Sequence, residues 1–244
     1  MSRRKKLSNK TELKIYGLTN FVNEKTFSPI KASDVIKIAD AAINILTEIG
    51  MSDAPEELCD LILKHGGRLE GNRLIYPSSL IRNAIEKHAP VVLLAGQTVE
   101  NDLHVGGNYV YAGTGGAAPN LQNPKTNEYV PSKLKDLYNA ARLADRLTNI
   151  RFFSRSLVAG DIEDPLQFDL STAAASLAGT SKHVMVQASH WSHVIAIAEL
   201  CYKIAGGEKN FRKRPFLSLH VNHAVPPLRF DPASIMVMME AVKL

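Results

Sequence analysis

Residues 150–222 read IRFFSRSLVAGDIEDPLQFDLSTAAASLAGTSKHVMVQASHWSHVIAIAELCYKIAGGEKNFRKRPFLSLHVN. Short apolar runs alternate there with longer stretches whose apolar residues recur at spacings of three and four. The runs 150–158, 183–187 and 216–221 predict strands, and 164–178 and 192–205 predict helices. The strands end in Ala159-Gly160-Asp161, Ala188-Ser189-His190 and Asn222-His223-Ala224. Asp164-Pro165 opens the first helix, acid as cap and proline in the first turn; Gly206-Gly207 closes the second. The same rhythm extends both ways. Residues 109–112 predict a strand ending in Gly113-Thr114-Gly115-Gly116, followed by a helix from Ser132 to about Leu147, and Asp231-Pro232 opens a last helix. Four β/α units in a row imply parallel strands joined by right-handed crossovers. A dinucleotide fold would carry G-x-G-x-x-G and an acid about twenty residues on. The glycines are spaced differently, which favours a barrel over a doubly wound sheet. The expected fold class is α/β, the first half of a (β/α)8 TIM barrel over residues 106–244.

Residues 13–105 form an α-rich N-terminal region. Ser33 or Asp34 is the expected cap of a helix to about Ile49, with Val35, Ile38, Ala39, Ala42, Ile45 and Leu46 as its buried stripe and Gly50 as its stop. Residues 54–65 and a stretch from Pro77-Ser78 to about His88 predict two more helices, with short strands at 74–76 and 91–95. A complete barrel takes ~250 residues by itself. Four units are half of one, and the last helix carries no capping residue after Val242, so the chain is expected to be truncated in mid-fold. A compact, monodisperse monomer would argue against that.

Composition excludes several classes. The chain has 244 residues, 45% hydrophobic and 22% charged, which suits a globular core and excludes bulk disorder. The net charge of +5 comes from Arg3, Arg4, Lys5, Lys6 and Lys10; the remainder balances 24 basic against 24 acidic residues. Residues 1–12 are therefore an expected disordered basic tail, and a neutral body gives no nucleic-acid face. No apolar run is long enough for a membrane helix, and no apolar segment follows the basic start as in a secretory signal. Cys59 and Cys201 give neither a disulfide framework nor a zinc signature, and a cytoplasmic setting is expected. Both fall inside predicted helices, as inert thiols do.

In a parallel β/α array, chemistry gathers at the C-terminal strand ends. Tyr111 and Gly113, Thr114, Gly115 and Gly116 belong to YAGTGGAAPN (111–120), where glycine lets a ligand approach backbone N–H groups; a tight turn explains the same residues. Asp161 suits a counter-charge for a cationic substrate, or a helix cap. Ser189, Asn222 and His223 are further pocket candidates. His190 and His193, like His220 and His223, are three apart, but neither pair lies on one helical face, so no metal site is expected. Trp191 reads as packing. There is no G-x-S-x-G elbow and no P-loop.

The segments ILTEIGM (45–51), LILKHGGRLEGNRLIYPSSLI (61–81), YAGTGGAAPNLQNPKTNEYVPSKLKDLYNAARLADRLTNIRFF (111–153), GTSKHVMVQAS (179–189) and AGGEKNFRKRPFLSLHVN (205–222) together resemble the trimethylamine methyltransferase family, the corrinoid-dependent MttB-type enzymes. The resemblance implies a (β/α)8 barrel with an added helical region, in proteins about twice this long. It implies transfer of a methyl group from trimethylamine, glycine betaine or a similar amine to Co(I) of a corrinoid (cobalamin) carried by a cognate partner protein. No corrinoid-binding D-x-H-x-x-G motif is present, in keeping with a cofactor borne by that partner and none bound directly. Some family members use pyrrolysine, but the region that would carry it is missing here, so no catalytic residue is assigned. A small amine substrate, a homo-oligomer at full length, and no nucleic-acid or membrane partner complete the expectation. Two alternatives stand beside it: a catalytically inactive truncated half-barrel, and a barrel enzyme acting on an unrelated small molecule.

Overall fold

A computed structural model describes residues 30–107 and 109–244. The expected basic tail, 1–12, lies outside the described residues.

The front region begins with helix α1 (Ala32–Asn44), which continues as a π-helical turn through Ile49. The N-cap is Lys31, without a side-chain bond, in place of Ser33 or Asp34. Asp34 instead sits in the first turn and pairs with Lys37 at 3.0 Å. Gly50 ends the helix at φ +68°, and a Cβ there would lie 2.3 Å from the Leu74 carbonyl oxygen. The expected buried stripe is corrected: Val35, Ile38 and Ile45 are exposed, and Ile43 is buried. The helix is anchored mainly by its C-terminal turn, where the Leu46 carbonyl accepts from Tyr76 N.

Next come β1 (Met51–Ser52), α2 (Glu56–Lys64), β2 (Arg68–Glu70), β3 (Arg73–Ile75) and α3 (Ser78–Lys87). Then β4 (Val91–Leu94) and β5 (Leu103–Gly106) pair antiparallel.

The main sheet is built from β6 (Ala112–Gly113), β9 (Ile150–Ser154), β10 (His183–Val186) and β11 (Leu217–Leu219). The small hairpin β7 (Asn120–Gln122) and β8 (Tyr129–Pro131) and helix α4 (Leu134–Arg146) join the first two strands. Helix α5 (Pro165–Gly179) joins the next two; α6 (Trp191–Ile204) and the short α7 (Glu208–Lys213) join the last. The four strands are parallel and lie in strict sequence order. Such an order has no switch point, unlike a doubly wound sheet. A hairpin, β12 (Ala224–Val225) and β13 (Arg229–Phe230), precedes α8 (Pro232–Lys243). It returns to the front, where the sheet order is β12-β13-β1-β3-β2, so residues 224–230 and 51–75 share one sheet. No closed barrel is present among the described residues: β6 and β11 are the edges of the main sheet.

Register assigns the faces. Phe153, Val184 and Leu217 are cross-strand partners. They pack against Leu137 and Ala141 of α4, Ala173 and Leu177 of α5, and Ile197 and Cys201 of α6. The helices therefore cover one face. The opposite face carries Phe152, Ser154, His183, Met185 and Ser218. A Cβ on Gly113 would come within 2.3 Å of the Phe152 ring, so this glycine lets the ring lie over β6.

The β4–β5 loop closes the N-terminal end of the sheet. Gln97 Nε2 donates to the Leu177 and Thr180 carbonyls, and Arg214 holds Asp102 at 2.8 Å. His183, 1% exposed, donates from Nδ1 to the Ala95 carbonyl and accepts from the Ser218 hydroxyl at Nε2. Burial pulls this imidazole below its ordinary value, against the opposing pull of that carbonyl. The unfolded chain thus binds the proton more readily. The stability held by neutral His183 is complete above about pH 6.5 and is lost as pH falls through that value towards the folded one. Urea titrations should show this acid-side loss shrinking in His183→Gln. An unchanged slope of stability against pH would contradict it.

Candidate functional site

The C-terminal ends of β6, β9, β10 and β11 bring polar residues to one side of the sheet. At β6, the Thr114 hydroxyl donates to the Ser154 carbonyl at 2.6 Å and accepts from Ser154 N at 2.9 Å. This clamp stands in for a ladder pair and fixes where the glycine loop leaves the sheet. Gly115 and Gly116 follow, both exposed, with no atom within 4 Å of a Cβ placed on either. Neither N–H has a protein partner among the described residues.

At β9, the chain continues into Arg155, whose N donates to the Met185 carbonyl. Its guanidinium donates to Gln187 Oε1 at 2.6 Å and lies 5.6 Å from the Phe168 ring centre. Ser156 follows, with a buried hydroxyl that finds no partner among the described residues.

At β10, the site centres on Asp169 of α5, which is 2% exposed. Its Oδ2 accepts from Ser189 N, Ser189 Oγ and His193 Nδ1, each at 2.7 Å. Asp164 starts that helix by accepting from Gln167 N, as its sequence predicts. Spacings of three and four then place Asp169, Thr172, Ala173, Ser176 and Leu177 on the buried stripe. His190 caps α6 by accepting from Ser192, which sets His193 in the first turn facing Asp169. The His190 ring stands 5.3 Å from Trp191, which is 41% exposed, and 5.6 Å from His193.

This is not a hydrolytic triad. Serine and histidine both bond to the same carboxylate oxygen, and the imidazole nitrogen nearest Ser189 is the one already donating to Asp169. A hydroxyl in that arrangement has no imidazole base to take its proton. The dyad instead fixes the tautomer of His193, leaving Nε2 as a site that can hold or give up a proton.

The expected residues fall into three groups. Thr114, Gly115, Gly116 and Ser189 stand at the strand ends with this cluster, and Gly113 lies beneath Phe152. Tyr111 lies at the start of β6, its hydroxyl donating to the His104 carbonyl at 3.4 Å and its ring stacked on Tyr109. Asp161 serves as a cap, accepting from Leu134 N at the start of α4. Asn222 Oδ1 accepts from His220 Nε2, and the His223 carbonyl accepts from Asp231 N, on the path back to the front sheet. Sequence reasoning missed Arg155, Gln187 and Asp169, and gave His193 no role. The available signal was an acid on the apolar stripe of α5. Among the described residues no group of three or more His, Cys, Asp or Glu is placed to hold a metal ion. None of their helices is long and apolar enough to cross a membrane.

The fold and site define an α/β protein whose polar strand ends offer a carboxylate–imidazole pair, a guanidinium and an open glycine loop, with no activated nucleophile among the described residues of these strand ends. A family profile described as trimethylamine methyltransferase (MTTB) matches residues 1–244, and the chain belongs to that family. It is 24% identical over 208 residues to the trimethylamine methyltransferase MttB of Desulfitobacterium hafniense strain DCB-2, covering 84% of this chain and 40% of that protein. It is 22% identical over 214 residues to a glycine betaine methyltransferase of Desulfitobacterium hafniense strain Y51, covering 87% of this chain and 44% of that protein. The chain thus spans less than half the length of these two relatives.

Proposed function

We propose that the protein containing this chain transfers a methyl group from a tertiary or quaternary amine to the Co(I) corrinoid of a partner protein. The observation that carries the reading is the family match. When bound, the corrinoid supplies the nucleophile, so the protein's task is positioning. The open backbone at Gly115 and Gly116 suits close approach by a broad, flat macrocycle. Asp169 orients His193; the C–N bond pair stays on the amine nitrogen as its lone pair, and Nε2 of His193 would hydrogen-bond the departing amine. Ser189 holds Asp169 in place through two hydrogen bonds.

We place residues 106–244 as four units of a (β/α)8 barrel, behind an α-rich region over 13–105. Sequential parallel strands with all covering helices on one face support this. So does an apolar groove of about 450 Å³ beside edge strand β11, lined by Ile197, Cys201, Leu219, Met238 and Val242, which leaves apolar surface for further chain to cover. A cytoplasmic setting and a homo-oligomeric full-length protein complete the proposal.

Gly115→Leu tests the site. Its surroundings are open, so the fold should tolerate the side chain. Methyl transfer from betaine or trimethylamine to reduced cobalamin, followed by the loss of Co(I) absorbance, should fall by about a hundredfold as approach is blocked. Transfer at the parent rate would move the site elsewhere. An inactive half-barrel would show no transfer in either protein.

A further inference from the structure

The ribbon of β4 and β5 crosses the N-terminal end of the main sheet. On the side of β10 and β11 it is tied by the Ala95 carbonyl, which accepts from His183 Nδ1 at 2.8 Å, and by Asp102, which holds Arg214. On the side of β6 it is tied by the His104 carbonyl, which accepts from the Tyr111 hydroxyl at 3.4 Å. Leu94 pairs with Leu103 and Val92 with Val105, so these four side chains share one face of the ribbon. That face is covered at one end only. Leu103 is fully buried towards β10 and β11, whereas Val92 and Val105, towards β6, are exposed. Tyr109 N donates to the Gly106 carbonyl, which continues the apolar patch to Tyr109 and to Val110, 78% exposed, beside edge strand β6. Parallel sheets are ordinarily covered, and an open apolar edge invites pairing. The other edge, β11, is open too and has its own uncovered groove. More than half of each of the two relatives lies outside the part that this chain matches, so a longer polypeptide has the length to meet both edges.

We propose that Val92, Val105, Tyr109 and Val110 seat the N-terminal end of a strand that pairs with β6, and that this strand belongs to the further chain of the full-length protein. The β4–β5 ribbon is then the floor of the closed structure, and the front region holds the first and last strands of the sheet together. This closure rests on the barrel reading of residues 106–244; the seat itself rests on an apolar face that is buried at one end and bare at the other.

Thiol labelling of the full-length gene product with a small maleimide, read position by position by mass spectrometry, tests this. Val92→Cys and Val110→Cys report on the seat. Val242→Cys, 82% exposed in the groove beside β11, reports on the other edge. Thermal melting checks that each variant keeps its fold, and Val105→Cys stands in for a seat variant that does not. In the folded protein, positions 92 and 110 should label about a hundredfold more slowly than in urea, as sites that react only when the structure opens. The protection should not change with protein concentration. Labelling of 92 and 110 at the unfolded rate would overturn the proposal. If position 242 is protected in that same protein, the barrel reading survives and only the floor falls; if it is bare as well, both fall. Protection at 92 and 110 that is lost on dilution, as an oligomer dissociates in sedimentation, would assign the seat to a second copy and overturn the proposal too.

Discussion

Asp169→Ala is expected to lower folding stability by about 3 kcal/mol, the upper scale for hydrogen bonds to a buried carboxylate whose donors are left without an acceptor. The carboxylate is 2% exposed and accepts three hydrogen bonds at 2.7 Å on one oxygen. Alanine leaves the Ser189 N–H and the His193 ring without their acceptor, at the junction where β10 turns into α6. It also opens a small void on the buried stripe of α5. Asp169→Asn should cost less, because its amide oxygen still accepts, though without the charge. Chemical denaturation reads both. A loss below about 1 kcal/mol for alanine, the scale of an exposed ion pair, would mean that the cluster is not held as described. In the transfer assay the asparagine variant should be impaired beyond its loss of stability, since an amide fixes the tautomer and orientation of the His193 ring less firmly than a carboxylate.

Lys182→Met should cost about 3 kcal/mol, the net of lost charge-assisted hydrogen bonds and the relief of a buried ammonium. Lys182 is 5% exposed, and Nζ donates to the carbonyls of Ala144, Leu147 and Ile150 at 2.6, 2.8 and 2.6 Å. These oxygens lie where α4 ends and β9 begins, and helix-end carbonyls have no partner of their own. Burial pulls the ammonium below its ordinary value, and Asp145 works against that shift. Methionine keeps the length and apolar bulk of the stem but none of the donors. Hydrogen exchange should show α4 and β9 opening first in this variant. Unchanged protection there would contradict the assignment.

The four β/α units were legible because each strand is a short apolar run closed by turn residues and each helix keeps its period of three and four. Asp164-Pro165 marked the start of α5 with its actual cap. The front sheet was not legible, since Ser52 pairs with Arg229 and no local pattern carries so distant a partner. The β4–β5 hairpin was missed for a related reason: its loop holds no two-residue turn signature and is fixed by bonds to Thr180 and Ser181. On α1, periodicity predicted a buried stripe, but the helix packs mainly through its last turn, which leaves Val35 and Ile38 exposed.

The arrangement of the candidate site was legible only in part. Position at a strand end selected Thr114 and Ser189, and the structure places both in contact with the polar cluster or its clamp. Arg155 was hidden because the predicted strand ran to 158 and enclosed it; β9 ends at Ser154. Asp169 was hidden because an acid in mid-helix reads as surface until the register of the helix is known. Asp161 illustrates the converse, since a capping acid and a ligand-binding acid look alike in sequence.

The measurement that bears most directly on the account is product analysis with the full-length gene product. Reduced cobalamin is supplied with trimethylglycine carrying isotopically labelled methyl groups. The account predicts labelled methylcobalamin and one equivalent of the amine with one methyl group fewer. A folded, full-length protein that yields neither, with this donor or with trimethylamine, would contradict it.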